Sequence, residues 1–101
     1  MRDVALREWL LGLHRPVTYA EAMQALAVPH MRDLTQALEI LMEQDVAAGR
    51  PLVAALVVSR VGPLPNRGFF DKARTLGLVI GDAAGFIADQ QARLFNSQRQ
   101  G

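Results

Sequence analysis

The sequence predicts a small α+β domain, mostly helical, with a short sheet. Three observations carry that reading. Apolar residues recur at helical spacing in two segments, Leu6, Trp9, Leu10 and Leu13 in one, and Met31, Leu34, Leu38, Leu41 and Met42 in the other. Thr18-Tyr19-Ala20-Glu21 has the form of a capping box just before an apolar run. Leu52 to Val58 is a short, continuous apolar stretch with a β-branched end, as expected of a strand buried on both faces.

Each element follows from local chemistry. The first helix is expected from Asp3 to His14, with Asp3 as its cap and Pro16 preventing continuation. Trp9 should anchor its face in the core. The capping box opens a short helix, Tyr19 to Leu26, that buries Ala22, Met23 and Leu26. Pro29 suits the first turn of the next helix, where a missing N–H does no harm. That helix should run from His30 to Ala48 and end at Gly49 and Pro51. After the strand, Gly62 to Gly68 is dense in turn residues. Asp71 to Leu76 reads as a helical turn or two stopped by Gly77, Leu78-Val79-Ile80 as a second short strand, and Ala83 to Asn96 as a last helix capped by Asp82. Gly85 should weaken that helix by roughly 1 kcal/mol relative to Ala. Ser97 to Gly101 is expected to fray.

Composition bounds the function. With 101 residues, 50% hydrophobic and 21% charged, the chain is a single domain over 1–101 and too apolar for disorder. It has no cysteine, so no disulfide, thiolate ligand or thiol nucleophile is available. No apolar run approaches the roughly 20 residues of a bilayer span. The N-terminus leads into an amphipathic pattern unlike a secretory signal. A reduced, cytoplasmic protein without a membrane partner is the expectation. The net charge of +1 hides an asymmetry. Residues 1–49 carry four arginines against seven acidic residues, net −3, and residues 50–101 carry seven basic against three acidic residues, net +4. A basic half can face phosphates or an acidic partner.

The order helix, short helix, Pro-marked turn, longer helix, strand and Gly/Pro loop is that of a winged helix-turn-helix, with the strand and loop as the wing. In such a module the second helix of the pair offers its N-terminal residues to the major groove. Here these are His30, Arg32, Asp33, Thr35 and Gln36. Arg32 can pair with guanine and Gln36 with adenine, while Arg60 and Arg67 flank the wing turn, where phosphate contacts sit. The expected function is non-catalytic DNA binding, as in a small transcription regulator, and a two-fold dimer would be typical of paired half-sites.

Val17-Thr18-Tyr19-Ala20-Glu21 resembles the V-S/T-Y-G-E segment of the O6-alkylguanine-DNA alkyltransferase DNA-binding domain. His30-Met31-Arg32-Asp33-Leu34-Thr35-Gln36-Ala37-Leu38 is similar to that family's A-x-R-A-V-G-x-A-M recognition helix, and Arg50-Pro51-Leu52-Val53 to its N-P-L-P lead into a buried strand. The resemblance covers about the middle third of the chain. It implies a winged-helix DNA-repair scaffold, with Tyr19 near a phosphate and Arg32 as the arginine that fills the space of a flipped nucleotide. The family's P-C-H-R motif is absent, since this chain reads Ala54-Ala55-Leu56-Val57-Val58 there, so alkyl transfer to cysteine is excluded. Glu39 to Gly49 looks like a helical extension that the family lacks. Cysteine-lacking members of the family bind damaged bases without repairing them.

The alternative is a protein-interaction module on the same scaffold, an adaptor or inhibitor of the kind mobile elements encode. Asp33, Glu39, Glu43 and Asp45 on the second helix repel phosphates, and a pI of 8.4 is low for a DNA binder. Phe69-Phe70 reads either as core under the wing or as an exposed partner anchor. An enzyme is the poorest fit. His14 and His30 lack carboxylate neighbours at ligand spacing, Ser59 has no nucleophile-elbow context, Gly77 to Gly81 is no phosphate loop, and no cofactor or metal pattern is present. His14 should sit at a helix C-terminus as a structural residue.

Overall fold

The computed structural model describes residues 3–100. The readings that fall on Met1, Arg2 and Gly101 lie outside the described residues. Helix α1 (Asp3–Leu11) buries Leu6 and Leu10 completely, while Trp9 lies half-buried at the core's edge. The expected end at His14 falls three residues too late. Gly12 N–H already closes the helix on Glu8 O and Trp9 O, which leaves His14 exposed beyond the last turn. Asp3 is a first-turn residue whose carboxylate accepts from Gln44 Nε2 at 2.6 Å, and that bond holds its pKa below the ordinary value.

Strand β1 (Val17–Thr18) runs straight into α2 (Tyr19–Leu26). The capping box forms as expected. Thr18 Oγ1 accepts from Glu21 N–H at 3.1 Å and Glu21 Oε1 accepts from Thr18 N–H at 3.0 Å. These bonds, with Arg15 beside the carboxylate, lower the Glu21 pKa. A carboxylate with a depressed folded pKa stabilises above its unfolded pKa, and the contribution fades as pH falls through the folded value. We therefore expect Glu21→Gln to be less stable than the native chain in urea at pH 7, with the gap closing at an acid pH below the depressed folded pKa. A gap that is the same at both pH values would show that the charge contributes nothing. Of the expected buried set only Ala22 is fully buried; Met23 and Leu26 are half-buried, and Tyr19 takes the core position instead.

Helix α3 (Met31–Ala48) packs against α2 and α1. His30 is its N-cap and Pro29 precedes the cap, one position outside the expected first turn. Leu34, Leu38, Leu41 and Met42 are buried as expected, but Met31 is 43% exposed. At the other end Gly49 adopts φ 69°, a conformation natural to glycine, and its N–H closes on Val46 O.

The expected strand Leu52–Val58 is mostly something else. Val53–Leu56 is a 3₁₀ turn, and only Val57–Val58 forms a strand, β2. β2 pairs in parallel with β1, Val17 opposite Val57 and Thr18 opposite Val58. The cause is side-chain capture of the backbone. Leu52 N–H donates to Gln90 Oε1 at 2.7 Å, Val53 N–H to Asp45 Oδ2 at 3.1 Å, and Ala55 O accepts from Gln91 Nε2 at 3.0 Å. Groups satisfied in this way have no need of a ladder. The turn sits at the centre of the core, packed on α1, α3 and the last helix.

Residues 59–66 form a loop closed by Ser59 N–H to Leu64 O at 2.8 Å. Helix α4 (Arg67–Thr75) starts four residues before the expected turn. It buries Phe69 and Phe70 edge to face at 5.2 Å, so the aromatic pair is core and no exposed anchor. Leu78-Val79-Ile80 is not a strand. Leu78 N–H bonds Ala73 O and Gly77 N–H bonds Arg74 O, which makes the segment the exit of α4. Helix α5 (Ala83–Gln100) continues past the expected stop at Asn96. At Gly85 an added Cβ would meet Asp82 Oδ2 at 2.6 Å, which offsets the helix propensity that alanine would bring. The result is an α+β domain whose short parallel sheet contributes Val17 and Val57 to the core. No helix among the described residues is long and apolar enough to cross a membrane.

Candidate nucleic-acid interface

The N-terminal end of α3 carries most of the residues singled out from the sequence. His30, Met31, Arg32 and Asp33 line an open groove of about 470 Å³. Met31 also borders a second depression, of about 280 Å³, shared with Tyr19, Ser59, Arg60 and Asn66. Tyr19 and Asn66 in turn border a narrow pocket of about 40 Å³ with Thr35, Glu39, Ala54 and Phe69. The structure thus brings His30, Arg32, Tyr19, Thr35 and Arg60 onto one continuous face. Gln36 is exposed four residues after Arg32, on the same side of α3. Arg67 lines none of these depressions. Its side chain is 93% exposed at the start of α4 and lies 3.9 Å from Asp71.

Local folding explains this convergence. The turn at 27–30 places the start of α3 beside α2, and the parallel pairing of β1 with β2 delivers Ser59 and Arg60 next to Tyr19. His30 makes no side-chain cap, so the first-turn amides of α3 have no side-chain partner among the described residues. Tyr19 is buried, and burial raises its pKa even though Asn66 N–H donates to its hydroxyl at 3.0 Å. A hydroxyl that accepts one bond still has its proton to give.

Electrostatics divide α3 into two ends. Asp45 is fully buried and paired with Arg7 and Arg50. Glu43 is bonded to Lys72 Nζ at 2.7 Å, which raises the Lys72 pKa. Two of the four acidic residues on this helix are therefore neutralised by partners. Asp33 remains in the groove and Glu39 at the narrow pocket.

Three residues of the face were not singled out from the sequence. Met31 fits the apolar stripe, so its spacing says core, yet it is the hinge between two depressions. Ser59 and Asn66 have no motif and are placed only by tertiary packing. The narrow pocket has Ala54 in its lining and no nucleophile of the cysteine type. Its volume accommodates roughly three waters. Among the described residues no group of three His, Asp or Glu could hold a metal ion. No family model, curated protein or solved structure matches the chain.

Proposed function

We propose that this chain is a non-catalytic DNA-binding protein of the winged helix-turn-helix type, with α3 as the reading helix and the 59–66 loop as a phosphate-contacting wing. The observation that carries the reading is the convergence of His30, Arg32 and Arg60 around the exposed Met31, on the helix end away from the neutralised Asp45 and Glu43. A helix N-terminus with open amides adds favourable phosphate geometry. The resemblance to the alkyltransferase DNA-binding domain supports the same placement of Tyr19 and Arg32. With no cysteine in the chain, the reading is of binding alone.

The test is a duplex titration by fluorescence anisotropy at two salt concentrations. Affinity should fall steeply with salt. Arg60→Ala should weaken binding to all duplexes alike and reduce the slope of log K against log salt by about 0.9, whereas Arg67→Ala, at a residue that lines none of the depressions, should change it less. A flat salt response would overturn the proposal. The second reading, a protein-interaction module, draws on Val61, 88% exposed at the tip of the loop beside Arg60. It would be favoured by a flat salt response together with stoichiometric capture of a single protein that Val61→Ser abolishes.

A further inference from the structure

We propose that a second cavity, between the C-terminal end of α3 and α5, binds a small apolar monocarboxylate of about one-ring size. This site is independent of the DNA reading. Its α3 residues lie some fifteen positions from Met31, about 22 Å along the helix axis. The cavity has a volume of about 200 Å³. An apolar cavity of about 150 Å³ is enough to take benzene, so this one has space for a ring and one further small group.

The lining has two halves of different chemistry. Leu52, Leu78 and Phe86 form the apolar part, and Arg50, Gln90 and Arg93 the polar part. Gln90 is only 7% exposed. Its Oε1 must face Leu52, whose N–H donates to it at 2.7 Å, so the NH₂ is the other end of the amide. That NH₂ has no partner among the described residues, and a buried donor without one is costly. Arg50 uses Nε on Asp45 at 3.2 Å, which leaves the rest of its fork. Arg93 has a long 4.0 Å contact with Asp89. The C-terminal end of α3 itself disfavours an anion, although Asp45 O and Val46 O are taken by Arg50 and Gly49 N–H, so the two guanidinium groups have to outweigh it. Two guanidinium groups and an amide donor beside an apolar wall match a carboxylate carried on a ring or branched chain.

The test is an amide-resolved NMR titration of the full chain with benzoate, benzamide and acetate. Benzoate should give saturable shifts at Leu52, Leu78 and Phe86. Benzamide lacks the charge and acetate lacks the ring, so each should bind at least tenfold more weakly. Arg93→Gln should weaken benzoate about tenfold, and Arg93→Lys should weaken it less than Arg93→Gln, since charge is retained while the planar fork is lost. Arg93 is half exposed on a helix, so both variants should fold with unchanged spectra elsewhere. Equal binding of benzamide and benzoate, native affinity in Arg93→Gln, or shifts that avoid these three residues would overturn the assignment.

Discussion

Replacing Asp45 with alanine is expected to destabilise the protein by about 3–5 kcal/mol, the range for breaking one side of a buried ion pair. Asp45 is fully buried, and its carboxylate accepts from Arg7 and from the N–H of Val53 and is ion-paired with Arg50. Without it, Arg7, whose side chain is 17% exposed, keeps only Gln44 Oε1, and the Val53 N–H is orphaned inside the core. In a domain of this size each kcal/mol lowers the melting temperature by about 4–8 °C. A loss of tens of degrees should therefore appear in thermal unfolding followed by circular dichroism. Arg7→Ala should cost less in the Asp45→Ala background than alone, because the two side chains are coupled. A melting temperature within a few degrees of native in Asp45→Ala would mean that water satisfies what the carboxylate does now.

The second large effect is expected on binding. Arg32→Ala should lower duplex affinity by about tenfold or more and relax preference at one base pair. A good bidentate arginine–guanine contact discriminates by about 1–3 kcal/mol. Arg32 is exposed and makes no ion pair among the described residues, so its removal should leave stability within about 0.5 kcal/mol of native. An electrophoretic shift assay on a randomised duplex pool, beside a melting curve, separates the two effects. Native affinity in Arg32→Ala would remove α3 from the reading role.

What the sequence made legible was local. The Thr18–Glu21 box lies within one helical turn, and both of its bonds form. The end of α3 at Gly49 follows from one residue's tolerance of positive φ. The edge-to-face Phe69 and Phe70 are core because an apolar pair closes a small interior. What escaped the reading was decided at a distance. Val53–Leu56 has the composition of a strand, and only side chains arriving from Asp45, Gln90 and Gln91 turn it into a 3₁₀ coil. Val17-Thr18 is a strand because a partner comes from forty residues later. Met31 obeys the helical period of α3 but lies at the end that no other element covers, so periodicity alone assigns it wrongly. The face around Met31 was half visible: Arg32 and Arg60 were singled out, whereas the neutralisation of Glu43 and Asp45 depends on Lys72 and Arg7, which no spacing rule connects to them.

The wiring of the 3₁₀ coil to α5 also bears on how the chain reaches its native state. Its two glutamine bonds join groups 38 and 36 positions apart. On a ribosome the central coil therefore emerges well before the side chains that tie down its amides. Loop closure over such separations has to precede its reward, so assembly should be slower than in a helical bundle joined by neighbouring contacts. The hydrophobic centre is then completed only when the last helix brings Gln90 and Gln91 to it.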